Sequence, residues 1–494
     1  GRYAHGHGST DMKFSRRQAL FGLTGLALAG CQVAPGTGRS GFNLLSEDDE
    51  RKLGSQSHPQ IIKEFGGAYD DPRLAAYVAG LGQRLVQVTE TPGAEFRFTL
   101  LNSQIVNAMA LPGGYVYVTR GLLSLCQNEA ELAGVLGHEI GHVLARHTAE
   151  RVSRAEAGGF LAVVLGAVVG VPGVGEAAQM GAAAYLQSFS REQESEADHL
   201  GLRYMVRAGW HPHAMVSMLD KLREQARLEA VMAGRSPDSV DQLDFMASHP
   251  RTVDRVHAAA TEAAGASPTG TLGADAYLDR IDGLVYGDDV DQGVVRDRVF
   301  SHPGLGLRFE LPSGFRISNG AKAVTATHPS GAMIVFDSGP ARGVADMGQY
   351  ITRVWLPRAE LAGMEAIEVG GMPAATATTH ARTKTGAADV RVVAIAFGGD
   401  TVYRFTFLTP VDQTAALNAE LRRATHSFRR LTADERAAVR PWRIKVVRAQ
   451  AGDTVDGLAA RMALAEWKAD MLRVINGLTP EDRVQVGQRI KLVV

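Results

Sequence analysis

The stretch "GHEIGHVLARH", residues 137–147, sets two histidines four apart with a glutamate directly after the first. On a helix, residues four apart share a face, about 40° out of line at about 100° per residue. His138 and His142 can therefore aim their imidazoles at one ion. Glu139 sits one step round, where it reaches a water held by the metal but not easily the metal itself. Zinc lowers the pKa of such a water to about 7. The glutamate then takes its proton and later delivers it to the leaving amine. That is the mechanical content of the H-E-x-x-H pattern. The competing reading is a helix that merely buries histidines, and the bare pattern arises by chance in roughly one or two per cent of chains this long. Context favours the metal. Asn128 and Glu131 make a capping-box-like start. Leu132, Val135, Leu136, Ile140, Val143 and Leu144 recur at helical spacing, and Gly137 and Gly141 leave room for close packing.

Two histidines leave zinc short of a ligand. Ala145 and Thr148 stand where a metzincin would need glycine and histidine. His147 lies about 140° round from His142 and reads as a structural or supporting residue. The other source is a downstream carboxylate, and "SREQESEADHLG", residues 190–201, offers four. A solvated acidic helix face is the plain alternative, but Ala197, Leu200 and Gly201 suggest one buried side. Glu194 and Asp198 share one face, Glu192 and Glu196 another, and spacing alone does not choose between them.

The rest of the 494-residue chain is long enough for several cores. Hydrophobic residues make up 45% and charged ones 21%, the texture of folded protein. With 52 basic and 53 acidic side chains, the net charge of −1 gives no pull toward nucleic acid. Two cysteines, Cys31 and Cys126, allow no disulfide framework and no cysteine-rich zinc ribbon. The expected fold class is α+β. A mainly helical domain with a small sheet spans 46–265. It carries strands at 95–101 and 115–119 and a Pro-Gly-Gly turn after Leu111. Its apolar run 158–171 reads as a buried or site-covering helix, or less readily as a membrane-dipping hairpin. Then follow a linker (266–297), an α+β sandwich-like domain (298–432), a second linker (433–444) and a small βααβ module (445–494).

Four stretches occur in order: "NAMALPGGYVYVTRGLL" (107–123), "ELAGVLGHEIGHVLARH" (131–147), "SREQESEADHLG" (190–201) and "SHPRTVDR" (248–255). Together, over roughly residues 46–262, they resemble the prenyl-protease-like family of gluzincin metallopeptidases. The resemblance implies one Zn2+ per chain, with Glu194 as third ligand beside His138 and His142. It implies that Asp198 orients a ligand histidine. In soluble bacterial members a histidine of the His-Pro motif can take the water position and hold the enzyme off, and His249 matches it. Arg255 matches the family's arginine, which supports the site or the transition-state charge. Ser301-His302-Pro303 repeats the tripeptide without the trailing arginine. The strand before the Pro-Gly-Gly turn, around Asn107, Ala108, Met109 and Ala110, is implied to be the edge where an extended polypeptide pairs by β-addition.

The N-terminus reads as an export address. Residues 1–11 look like an upstream extension or tag. From Met12, "MKFSRRQALFGLTGLALAGC" has a basic start, an apolar run too short to span a bilayer, and a cysteine. "LAGC" resembles a bacterial lipobox, which implies a signal over 12–30, lipidation of Cys31 and a tether over 31–45. Gln32 then implies the outer membrane, and "SRRQAL" more faintly resembles a twin-arginine signal. At the other end, "AGDTVDGLAARM", "RVINGL" and "VQVGQRIKLVV" resemble a LysM module, which implies a possible hold on peptidoglycan. The 298–432 region faintly resembles PsbP-like sandwiches. Cys126 reads as an inert buried thiol, and His211-Pro-His213 as a helix start rather than a metal pair. The expected protein is a lipid-anchored periplasmic zinc endopeptidase acting on envelope proteins. The opposed expectation is a non-catalytic assembly chaperone or wall-tethered lipoprotein with a self-inhibited zinc site. A peptidoglycan hydrolase is disfavoured, since the common zinc wall enzymes use another histidine/aspartate pattern.

Overall fold

A computed structural model describes residues 31–38, 40–157, 189–241, 249, 253–266, 268–383 and 386–494. The export signal 12–30, the upstream extension 1–11, the apolar run 158–171 and the neighbours Ser248 and Pro250 lie outside the described residues. Among the described residues, no helix is long and apolar enough to cross a membrane.

The chain is α+β. Its N-terminal half opens with short strands β1 (Cys31–Val33) and β2 (Ser40–Phe42) and helices α1 (Glu47–Glu64) and α2 (Pro72–Val86). Ser46 caps α1 through a full capping box. Strands β3 (Arg97–Leu101), β4 (Ala108–Leu111) and β5 (Tyr115–Thr119) form a sheet of order β3-β5-β4. β5 runs parallel to β3 and antiparallel to β4, so β4 is an edge. Gly113 and Gly114, with φ of +81° and +83°, make the turn that a side chain would strain. Helix α3 (Arg120–Leu125) follows, then α4 (Glu129–Leu144), α5 (His147–Ala157), α6 (Arg191–Arg207), α7 (His213–Met232) and α8 (Val253–Gly265).

The contact that builds the site is α4 against α6. A Cβ at Gly137 would meet Gly201 O at 3.0 Å, and one at Gly201 would meet His138 N at 2.8 Å. A Cβ at Gly141 would meet Leu200 Cβ at 3.1 Å. Three glycines thus let two helix backbones come close enough for short carboxylates on one to meet imidazoles on the other.

The stretch read as a linker, 266–297, carries helix α9 (Ala274–Ile281) and strand β6 (Val285–Tyr286). Tyr277, Leu278 and Ile281 bury one face of α9 in the core of the N-terminal half. The middle unit comprises β7 (Val294–Arg296), β8 (Val299–His302), β9 (Leu307–Glu310), β10 (Arg316–Asn319), β11 (Val324–Thr327) and β12 (Met333–Pro340). Helix α10 (Met347–Tyr350) precedes β13 (Ala362–Val369), β14 (Met372–Thr383), β15 (Gly386–Gly398) and β16 (Thr401–Pro410), and α11 (Thr414–Ser427) and β17 (Arg429–Arg430) follow. Seven of these strands form an antiparallel sheet with separate apolar clusters on its two faces. After α12 (Ala433–Ala438) come β18 (Trp442–Arg448), α13 (Val455–Ala460), α14 (Lys468–Asn476) and β19 (Arg489–Val493).

This terminal βααβ unit is docked. Leu458, Leu472, Ile475 and Leu492 share one apolar cluster with Leu123, Leu136 and Ile140. The fully buried Lys491 Nζ donates to the carbonyls of Ser124, Leu125 and Cys126 at 2.7, 3.3 and 2.6 Å. Those carbonyls close α3 and the turn after it, where a helix end leaves acceptors unpaired. Burial holds the Lys491 pKa well below the usual lysine range.

Candidate metal centre

Side chains from α4, from α6 and from the segment before α8 converge. His138, His142, Glu194 and His249 each offer one ligand atom, all within 4.8 Å of one another. His138 Nε2 and His142 Nε2 are 3.0 Å apart. Glu194 lies 3.6 Å from the first through Oε2 and 3.4 Å from the second through Oε1. His249 Nδ1 lies 3.2 Å from His138 Nε2 and 2.8 Å from Glu194 Oε1. Ligand atoms about 2.0–2.1 Å from a tetrahedral zinc stand about 3.3 Å from each other, so these spacings suit that ion. Glu194 Oε2 is buried and pairs with Arg255 Nη1 at 2.6 Å, while its Oε1 faces the imidazoles of His142 and His249. A buried carboxylate oxygen and bare imidazole nitrogens facing one point are groups a zinc ion would satisfy.

Each ligand histidine is held from behind. His138 Nδ1 donates to Asp198 Oδ1 at 2.8 Å. Asp198 in turn accepts from Arg255, Nε to Oδ2 at 2.8 Å and Nη2 to Oδ1 at 2.7 Å. Arg255 so ties Glu194 and Asp198, one turn apart on α6, into a single ionic unit. His142 Nδ1 lies 2.8 Å from His147 Nδ1, and His147 Nε2 donates to Glu196 Oε2 at 3.0 Å. Phe189 stacks on the His142 ring, centroids 3.9 Å apart, and lies 5.2 Å from the His249 ring.

The charges follow this geometry. Burial would raise Glu194, but His249 and Arg255 outweigh it and hold its pKa well below the usual carboxylate range. Asp198 is lowered in the same way, burial being overcome chiefly by Arg255. Burial pushes the Glu139 carboxyl up despite His249 and His138. A raised carboxyl is the condition for a proton acceptor that must later give the proton back. Glu139 Oε1 lies 3.5 Å from His249 Nε2. Burial drives His142 well below the ordinary imidazole value, which keeps it neutral.

The structure thus brings His138, Glu139, His142, Glu194, Asp198, His249 and Arg255 to one place. Of the acidic alternatives on α6, Glu196 turns to His147 and Glu192 points to solvent. Asn107 precedes β4, which carries Ala108, Met109 and Ala110 along the sheet edge and packs against α4. Phe189 was not legible as a site residue, and Glu196 was legible only as a rival ligand, not as the partner of His147. The signal available was an aromatic directly before the Ser190 cap and a carboxylate one helical step off the Glu194 face. His302, of the repeated tripeptide, packs on Phe300 in the middle unit. Cys126 is a free, buried thiol pushed up to about 12 by burial.

Comparison with known proteins locates this arrangement. Residues 72–263 match Peptidase family M48. The "Beta-barrel assembly-enhancing protease" of Escherichia coli (strain K12) is 34% identical over 202 residues, 39% of this chain and 41% of that protein. The protein of the same name from Yersinia pestis is 32% identical over 255 residues, 50% of each chain. "Mitochondrial metalloendopeptidase OMA1" of Schizosaccharomyces pombe is 29% identical over 195 residues, 39% of this chain and 57% of that one. The chain spans about half the length of the curated relatives it matches. Two solved structures align with part of the chain. Cyanobacterial PsbP (CyanoP) from Synechocystis sp. PCC 6803 is 15% identical, with TM-score 0.22, over 29% of this chain and 96% of that one. LpqN of Mycobacterium tuberculosis is 14% identical, with TM-score 0.21, over 26% and 83%.

Proposed function

We propose that the chain is a zinc-dependent endopeptidase of Peptidase family M48, whose model matches residues 72–263. The observation that carries the reading is the convergence of His138, His142 and Glu194 with Glu139 beside them. Zinc, when bound there, polarises a water and lowers its pKa to about 7. Glu139 takes a proton from that water as its oxygen bonds the scissile carbonyl carbon. The same carboxyl returns the proton to the amine as the C–N bond breaks. Asp198 holds the His138 ring, and Arg255 balances the two α6 carboxylates and contributes positive charge near the developing oxyanion. An extended substrate pairs along Asn107–Ala110, since β4 has a free edge among the described residues.

The position of His249 supports a resting state that is shut. Its Nδ1 takes a fourth corner, beside Glu194 and His138, so it must leave before water and substrate come in. The relatives named for β-barrel assembly favour polypeptide substrates of the bacterial envelope. The lipobox-like sequence favours a periplasmic enzyme held at the outer membrane by lipid on Cys31. Peptidoglycan binding by the terminal module belongs to the same proposal. The test is cleavage of an unfolded protein by zinc-loaded enzyme in a His249→Ala background. Adding Glu139→Gln should cost 10²-fold or more with zinc content unchanged, and a chelator should abolish cleavage. Equal cleavage with and without Glu139 overturns the reading. A rise on His249→Ala alone supports gating, and a loss assigns that ring to catalysis.

A further inference from the structure

His138 is braced by a carboxylate directly, but His142 is braced through a second imidazole. Glu196 accepts a hydrogen bond from His147 Nε2 at 3.0 Å, and a carboxylate only accepts, so the proton of a neutral His147 sits on Nε2. His147 Nδ1 is then a bare acceptor. His142 Nδ1, 2.8 Å away, must be the donor. That leaves the lone pair of His142 on Nε2, the atom facing His138 and Glu194. The proton order Glu196, His147, His142 therefore fixes both the tautomer and the ring angle of one ligand. His147 is fully buried, and so is His142.

The backbone is built to place His147. Helix α4 ends at Leu144, and Arg146 takes φ +59°, a left-handed conformation that costs a branched or long residue energy. Arg146 Nε donates to Glu50 Oε1 at 2.7 Å and Nη2 to Leu45 O at 2.8 Å. The segment that opens α1 thus grips the turn that swings His147 back beneath His142.

We propose that His147 and Glu196 are positioning residues for the metal, acting through His142, and that residues 45–50 brace them. This rests on the zinc-peptidase reading. The test measures zinc affinity by competition with a fluorescent chelator, together with the visible d–d spectrum of the Co2+-substituted protein. His147→Leu should weaken zinc binding about 10–100-fold and alter the Co2+ spectrum. His147→Asn, whose carbonyl can accept from His142 Nδ1, should recover part of both. Glu196→Ala, at a partly buried position near the surface, should weaken binding in the same direction with the fold intact. The solvent-facing Glu192→Gln should do nothing. Wild-type affinity and spectrum in both His147→Leu and Glu196→Ala overturn the inference while the zinc reading stands. Should His147→Leu fail to fold, Glu196→Ala decides alone. A wild-type protein that binds no zinc sinks the functional reading, and this inference with it.

Discussion

Leu472 and Phe405 are both wholly buried, the first in the terminal βααβ unit and the second in the seven-stranded unit. They belong to different cores. Leu472 lies in the cluster that also holds Leu136 and Ile140 of the metal-bearing helix. Phe405 lies among Phe309, Phe336, Phe407 and Phe428, all from its own unit. The middle unit meets the rest of the chain through polar contacts: Asp288 accepts from Gln104 Nε2 and from Asn319 Nδ2, and Arg296 stacks on Trp442. Position along the chain therefore says little about energetic membership. The unit farther in sequence from the metal helix is part of its core, and the nearer one is a neighbour.

The sharpest way to break this comparison is to remove residues 442–494. That should leave the shared cluster open and the Ser124 and Cys126 carbonyls without their donor. Loss of cooperative melting and of retained zinc is expected, read by calorimetry and metal analysis. A truncated protein that melts and binds zinc like the full chain would show the module to be an appendage.

Single substitutions sharpen the contrast. Leu472→Ala should destabilise the transition of the core that holds Leu136 and Ile140 by about 2–5 kcal/mol, and Phe405→Ala a separate one by about 3–5 kcal/mol. Zinc affinity should fall with heating earlier in the first variant and not in the second. If both substitutions shift one common transition, the two-core description is wrong.

The smallest effect concerns Cys126. A thiol whose pKa is pushed up to about 12 stays protonated as pH rises through 8, so the native protein should leave Cys126 unalkylated by iodoacetamide there. Mass spectrometry of the Cys126 peptide distinguishes it from Cys31. Lys491→Met should speed its labelling by loosening the dock, whereas Phe405→Ala should not.

Much of this was legible in the residues. The cap at Asn128 and the 3.6-residue spacing gave the metal helix, found at Glu129–Leu144. Alternation of Phe98 and Leu100 with polar neighbours gave β3. The choice of Glu194 over Glu192 and Glu196 was not available from spacing, because it depends on the rotational phase of α6 against α4. That phase is set where Gly137 meets Gly201 and Gly141 meets Ala197 and Leu200, pairs more than fifty residues apart in sequence. The His147–Glu196 pairing was hidden for the same reason, with the added turn at Arg146. Lys491 was silent in another way: nothing in "QRIKLVV" marks the lysine as buried, and it is wholly buried. Only a partner with unpaired carbonyls explains it, and those lie at residues 124–126.

The lysine dock also sets a sequence of events. A chain synthesised from its N-terminus delivers strand β19 after every other element described here. Until it arrives, the wall behind the helix that carries His138 and His142 is unfinished, and the candidate metal site lacks part of its support. Completion of the candidate metal site is therefore expected to lag behind synthesis of its own ligands, since part of its support lies in the last of the described elements.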